Sequence, residues 1–168
     1  ELRFAPQLHG DDLARTVDAA LAGLAGRGGL ILCGLYGEPP ALLEKLVALA
    51  GPRRGVVGID LAGGPAPNHR WRLPDYAPVF AAARRLGLGR TVHAAEGRSA
   101  SEIIVAIAQL HAQRIGHGTT LLDDPRALEL VLARGVTLEA CPTSNVHVGA
   151  VAAVAEHPLR RWLEAGVA

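Results

Sequence analysis

Short apolar runs alternate six times with longer amphipathic stretches in this chain, and that alternation predicts an α/β fold built of strand–helix units around a parallel sheet. Two further observations favour a (β/α)8 TIM-barrel type over an open doubly wound sheet. No glycine-rich dinucleotide fingerprint follows the first strand, and polar residues fall at many strand ends rather than at one switch point. The expectation is most of an eight-stranded β/α barrel, forming a single partial domain over residues 1–168.

The strands are expected at 2–5, 29–34, 55–61, 90–93, 113–116 and 136–140. They are short and apolar on both faces, as strands covered by helices outside and by a barrel core inside must be. Helices are expected between and after them, at 11–26, 39–50, 75–86, 101–112, 125–134 and 157–165. Asp11 and Asp12 precede the apolar periodicity of Leu13, Val17, Leu21 and Leu24, which puts acids where a helix dipole favours them. Pro39 or Pro40 can open the second helix, and Ser99 or Ser101 can cap the fourth, whose buried stripe is Ile103, Ile104, Ile107 and Leu110. Gly51, Gly87 and Gly135 fall just past helices, where a left-handed residue is cheapest. Residues 62–74 break the pattern. This Gly- and Pro-rich stretch has the length of a functional βα loop.

Composition excludes several classes. With 168 residues, 49% hydrophobic, the chain can bury a real core, and disorder is a poor reading. Aromatics make up only 4%, so that core is built mainly from Leu, Val, Ile and Ala. Net charge is +1, Lys45 is the only lysine, and the arginines are scattered, so no basic stripe tracks a nucleic acid. No apolar run reaches the roughly 18–20 residues of a membrane span. Cys33 and Cys141 are far apart and lack CxxC spacing, which fits a reduced, cytoplasmic setting. The chain has no methionine, even at position 1, and opens on what reads as a strand, so it is expected to be an internal piece of a longer protein.

Three polar groups close predicted strands. His93 ends one, and Glu96 sits three residues on in the following turn, so both can face one mouth. A neutral imidazole there can bind zinc and a nearby carboxyl can shuttle a proton. The plainer reading is a strand-capping histidine beside a solvated glutamate. His117, between Gly116 and Gly118, ends the next strand; neighbouring strands lie about 4.8 Å apart, so the two imidazoles would share a rim. Alone, His117 reads equally as a buried histidine bonded to backbone. Gly63 and Gly64 offer a backbone N–H to a flat substrate or simply make a tight turn. Asp60 reads as a buried polar residue holding adjoining loops. Ser144 and Asn145 support the mouth by hydrogen bonds, and Cys141 reads as a small buried apolar residue. His9, His69, His111, His147 and His157 lack convergent spacing and are expected on the surface or in loops, with His69 a minor candidate. Trp71 and Trp162 read as packing residues.

Residues 56–63, 91–96, 114–118 and 141–146 together resemble the adenosine deaminase family of metal-dependent barrel hydrolases. Residues 1–6 resemble that family's second strand, and His157-Pro158-Leu159-Arg160-Arg161 resembles the helix before its last. The resemblance implies that about six of eight β/α units are present, with the first and last strands missing. It implies that His93 is a zinc ligand, that Glu96 protonates the purine ring nitrogen, and that His117 orients the attacking water and helps deprotonate it. The backbone of Gly63 would contact the purine. The family's first-strand HxH pair and its eighth-strand aspartate pair have no counterpart here, so His93 alone remains of the protein ligands.

The implied activity is zinc-dependent hydrolytic deamination of adenosine or deoxyadenosine by the parent enzyme, with the isolated chain inactive. The partner is then a small-molecule purine nucleoside, with no nucleic acid and no membrane. Gly64-Pro65 stands where the family often has acids, which keeps open another 6-aminopurine substrate such as aminodeoxyfutalosine. Two uncovered sheet edges are also expected, which favours self-association or, as a rival from another class, a non-catalytic half-barrel that binds a partner.

Overall fold

The computed structural model describes residues 1–65 and 68–168, so two residues of the 62–74 loop lie outside the described residues. The chain divides into two compact units, residues 1–90 and 91–168. Each is a run of parallel strands joined by helical connections.

The first unit contains β1 (Leu2–Phe4), β2 (Leu30–Leu35) and β3 (Val56–Ala62), with α1 (Leu13–Leu24), α2 (Pro40–Ala50) and α3 (Ala77–Arg85). The strands pair in chain order and in parallel, with Phe4 opposite Leu32 and Cys33 opposite Asp60. Leu30, Ile31, Leu32 and Cys33 of β2 are all buried, so this strand has no solvent face. That is the continuous apolar pattern of a strand covered on both sides. Asp12 caps α1, its carboxylate accepting the Arg15 N–H at 3.0 Å, so the acid sits before the helix rather than in its first turn. Pro40 opens α2 at a position where no N–H is missed.

Buried Asp60 is held by Arg3, whose Nη1 lies 2.9 Å from Oδ2. The expectation of a buried anchoring residue is met, but the partner is on strand β1 rather than on a loop. A carboxylate with no exposed surface needs such a charge-assisted bond, because burying it unpaired costs several kcal/mol.

The second unit holds most of β4 (Gly89–Ala94), with β5 (Arg114–His117) and β6 (Thr137–Glu139). These pair in parallel with His93 opposite Gly116 and Ile115 opposite Leu138. Its helices are α4 (Ser101–Ala108), α5 (Pro125–Arg134), α6 (Pro142–His147) and α7 (Leu159–Glu164). Ile103, Ala106, Ile107, Leu110, Ile115, Ala127, Val131 and Trp162 are buried and build this unit's core.

Three local expectations are corrected. Ala100, not a serine, precedes α4, and no side chain caps it. Gly51 closes α2 in the right-handed region with φ −51°, while Gly135 takes the expected left-handed φ of +59°. At Gly135 the following N–H of Val136 reaches back to the Val131 carbonyl at 3.0 Å, which seals the end of α5. The segment 142–147, unassigned from sequence, is helical, and Pro142 at its first position is the signal.

Candidate functional site

The second unit brings His93, Glu96 and His117 together. The imidazole rings of His93 and His117 meet edge to face, with centroids 4.7 Å apart. Their register explains it. His93 lies opposite Gly116, and a Cβ at Gly116 would collide with the His93 ring, 3.0 Å from its Nε2. Glycine before His117 therefore makes room for the other imidazole.

Two non-glycine residues in the left-handed region end these strands. Ala95 has φ +57° and His117 has φ +69°. Such a conformation costs about 1 kcal/mol in an ordinary residue and persists only where surroundings enforce it. At Ala95 the enforcement is visible. Its N–H donates to Glu102 Oε2 at 2.8 Å, and its carbonyl accepts from the Thr119 hydroxyl at 3.0 Å. Arg98 Nε in turn holds Glu102 at 2.9 Å, and Gly97 N–H donates to Thr119 Oγ1 at 2.8 Å. The turn carrying Glu96 is thus clamped by the first turn of α4 on one side and the loop after β5 on the other.

Glu96, His117 and Asn145 meet in a near-equilateral triangle. Asn145 Nδ2 lies 2.9 Å from Glu96 Oε1 and 2.9 Å from His117 Nδ1, and those two atoms are 3.0 Å apart. Asn145 has no exposed surface, and the side chains of His117 and Glu96 are only 8% and 10% exposed. Two lone-pair atoms at 3.0 Å repel unless a proton lies between them, so carboxyl and imidazole share one. Asn145 adds an N–H that steadies the carboxyl. The site therefore places an acid and a base in proton contact among largely buried side chains.

Asn145 was expected only as a support for the mouth; it is the hub. His157, expected on the surface or in a loop, is 7% exposed, and its Nε2 lies 3.2 Å from Asn145 Oδ1. Its Nδ1 accepts the Leu159 N–H at 3.1 Å, and its ring packs edge to face on Trp162 at 5.1 Å. Burial in this apolar setting pushes the His157 pKa below its ordinary value. Trp162 is a buried packing residue as expected, whereas Trp71 is half-buried under the Arg70 guanidinium, 4.7 Å from its ring. Cys141 is half-buried rather than fully enclosed.

Gly63 belongs to the first unit. It has φ +71° and lines a cleft of about 540 Å³ with Tyr36, Glu38, Asn68 and His69. Tyr76 braces this wall: its hydroxyl donates to the Glu38 carbonyl at 2.6 Å and accepts the Gly37 N–H at 3.0 Å. His69 is half-buried there, its ring edge-on to Tyr36 at 5.4 Å. A Cβ at Gly63 would meet open space, so its left-handed backbone rather than crowding is what suits glycine.

Among the described residues no cluster of three or more His, Cys, Asp and Glu is placed to hold a metal ion. His93 is a single candidate ligand, and one imidazole is not a zinc site. Among the same residues, no helix is long and apolar enough to cross a membrane.

The model of the adenosine deaminase family matches residues 1–168. The chain belongs to that family. An adenosine deaminase of Enterococcus faecalis is 38% identical to this family member over 180 residues, covering 100% of this chain and 52% of the relative. One from Erwinia tasmaniensis is 35% identical, covering 99% of this chain and 53% of the relative. Among solved structures, an adenine deaminase from Arthrobacter aurescens superposes with a TM-score of 0.84 at 29% identity, covering 98% of this chain and 53% of that one. The chain thus spans about half the length of the adenosine deaminases it matches. The structural likeness makes the fold class a partial (β/α)8 barrel, as the alternation of strands and helices predicts.

Proposed function

We propose that this chain is part of a zinc-dependent purine deaminase that converts adenosine or deoxyadenosine and water to inosine or deoxyinosine and ammonia. The observation that carries the reading is the proton contact of Glu96 with His117, beside His93, in a chain matched throughout by the adenosine deaminase family. Hydrolysis at a ring carbon needs a proton delivered to the adjacent ring nitrogen and a water relieved of one. Glu96 is assigned the delivery, its carboxyl standing in contact with His117. His117 orients the water and accepts its proton. The backbone of Gly63 contacts the purine.

His93 supplies one zinc ligand, and the remaining protein ligands are assigned to parts of the protein outside residues 1–168. Zinc, when bound, lowers the pKa of its water towards neutrality. Residues 1–168 alone are therefore expected to be inactive. The test is ammonia release from adenosine by the full-length zinc-loaded protein. Absence of release from adenosine, deoxyadenosine and other 6-aminopurines alike would sink the reading.

A second reading, deamination of another 6-aminopurine derivative such as aminodeoxyfutalosine, is favoured by Gly64-Pro65 in the sequence, of which Gly64 lines the same cleft as Gly63. Relative turnover of the candidate substrates separates the two. A non-catalytic binding module is distinguished from both by zinc content: stoichiometric zinc in the full-length protein supports the enzyme.

A further inference from the structure

We infer that His157 is a positioning residue whose Nε2–H fixes the Asn145 amide, so that the NH2 of Asn145 faces Glu96 and His117. The proton count around His157 allows one arrangement. Its Nδ1 accepts the Leu159 N–H at 3.1 Å, and an imidazole nitrogen accepts only when it carries no proton. The ring's proton is therefore on Nε2, 3.2 Å from Asn145 Oδ1, and His157 donates. Asn145 must then present its oxygen to His157 and its NH2 to Glu96 Oε1, 2.9 Å away.

Without that donor the amide oxygen is buried with no partner, and the amide is held only through its NH2. A flipped Asn145 would set its oxygen against the carboxyl oxygen of Glu96 and against His117 Nδ1, acceptor against acceptor, and would displace both. Among the described residues, His157 is the one side-chain contact made by the amide oxygen; the other two, to Glu96 and His117, are made by the NH2. Backbone holds only its main chain: Asn145 N–H donates to the Cys141 carbonyl at 2.9 Å, and its own carbonyl accepts from Ala150 at 2.8 Å. Glu96 and His117 are catalytic residues in the deaminase reading, and the kinetic part of this inference rests on that reading.

Three variants of the full-length protein decide it. His157→Gln keeps an N–H at the position of Nε2, His157→Asn keeps polarity nearer the backbone but does not reach Asn145, and His157→Leu removes the donor. Two readouts are needed, the ring ¹⁵N signals of His117 and steady-state kinetics with adenosine. His157→Leu and His157→Asn should shift the His117 signals and lower kcat by about 10–100-fold with KM within about threefold, as for lost supporting residues elsewhere. His157→Gln should return both readouts to near the unsubstituted values. If His157→Leu does not fold, the Gln and Asn variants carry the comparison. Unchanged His117 signals in a folded His157→Asn protein, or equal damage in Gln and Asn, would overturn the inference. A full-length protein that deaminates nothing would instead overturn the functional reading, and the His117 signals would still decide the role of His157.

Discussion

Glu96 Oε1 lies 3.0 Å from His117 Nδ1. They come from different loops, one after β4 and one at the end of β5, and parallel pairing of those strands is what brings them together. Asn145, on α6, completes the contact from a third element. The chemistry follows from that convergence: a proton can pass between the two groups without crossing water.

Asn145→Ala should lower turnover of the full-length enzyme by about 10–100-fold through disorder in Glu96 and His117. It should also cost about 1–3 kcal/mol of stability, since His157 loses its acceptor in a buried setting. Denaturant unfolding and kinetics on one preparation check both. An unaffected enzyme would show that the amide is a bystander.

Ala95→Gly should raise stability by roughly 0.5–1 kcal/mol, because glycine adopts φ +57° without the steric penalty that alanine carries. Turnover should not fall, since Glu102 and Thr119 hold the same backbone atoms in either case. A thermal midpoint lower than that of the unsubstituted protein would contradict the strain argument.

Arg3→Leu should destabilise the protein by on the order of 2–4 kcal/mol, because Asp60 has no exposed surface and loses its charged partner. Arg3 is partly exposed, which keeps the figure below that of a fully enclosed pair. Chemical denaturation measures it. A change under 0.5 kcal/mol would mean that Asp60 is satisfied without Arg3.

The acid side of the stability profile should carry a mark of His157. Its pKa in the fold is lowered by burial, so below the ordinary value near 6.5 the unfolded chain binds a proton that the folded chain refuses. Stability contributed by this residue is full above that pH and falls as pH drops towards the folded pKa. His157→Gln should flatten the fall, and an identical profile for both proteins would rule His157 out as its source.

Much of this was legible in the sequence. Among the described residues, all six strands and six of the seven α-helices lie within a few residues of their expected places, because period and punctuation carried them. The cluster of His93, Glu96 and His117 was legible because the two histidines end neighbouring strands and Glu96 sits in the turn after the first, and parallel neighbours must share a rim. Asn145 and His157 were not legible as partners. They are separated along the chain by a glycine-bearing loop, and only tertiary packing aims both at the same amide. The serine cap of α4 failed for a related reason: Ser99 accepts from Ser101 at 3.2 Å, a local turn that competes with capping.

The most direct test is Glu96→Gln in the full-length protein, with zinc content and adenosine turnover measured together. Glutamine keeps the size of the side chain and the bond to Asn145 but cannot deliver a proton. Zinc should be retained and kcat should fall by at least about 10²-fold, the lower end of what proton transfer contributes. Turnover at the unsubstituted rate, with zinc in place, would contradict proton delivery by Glu96.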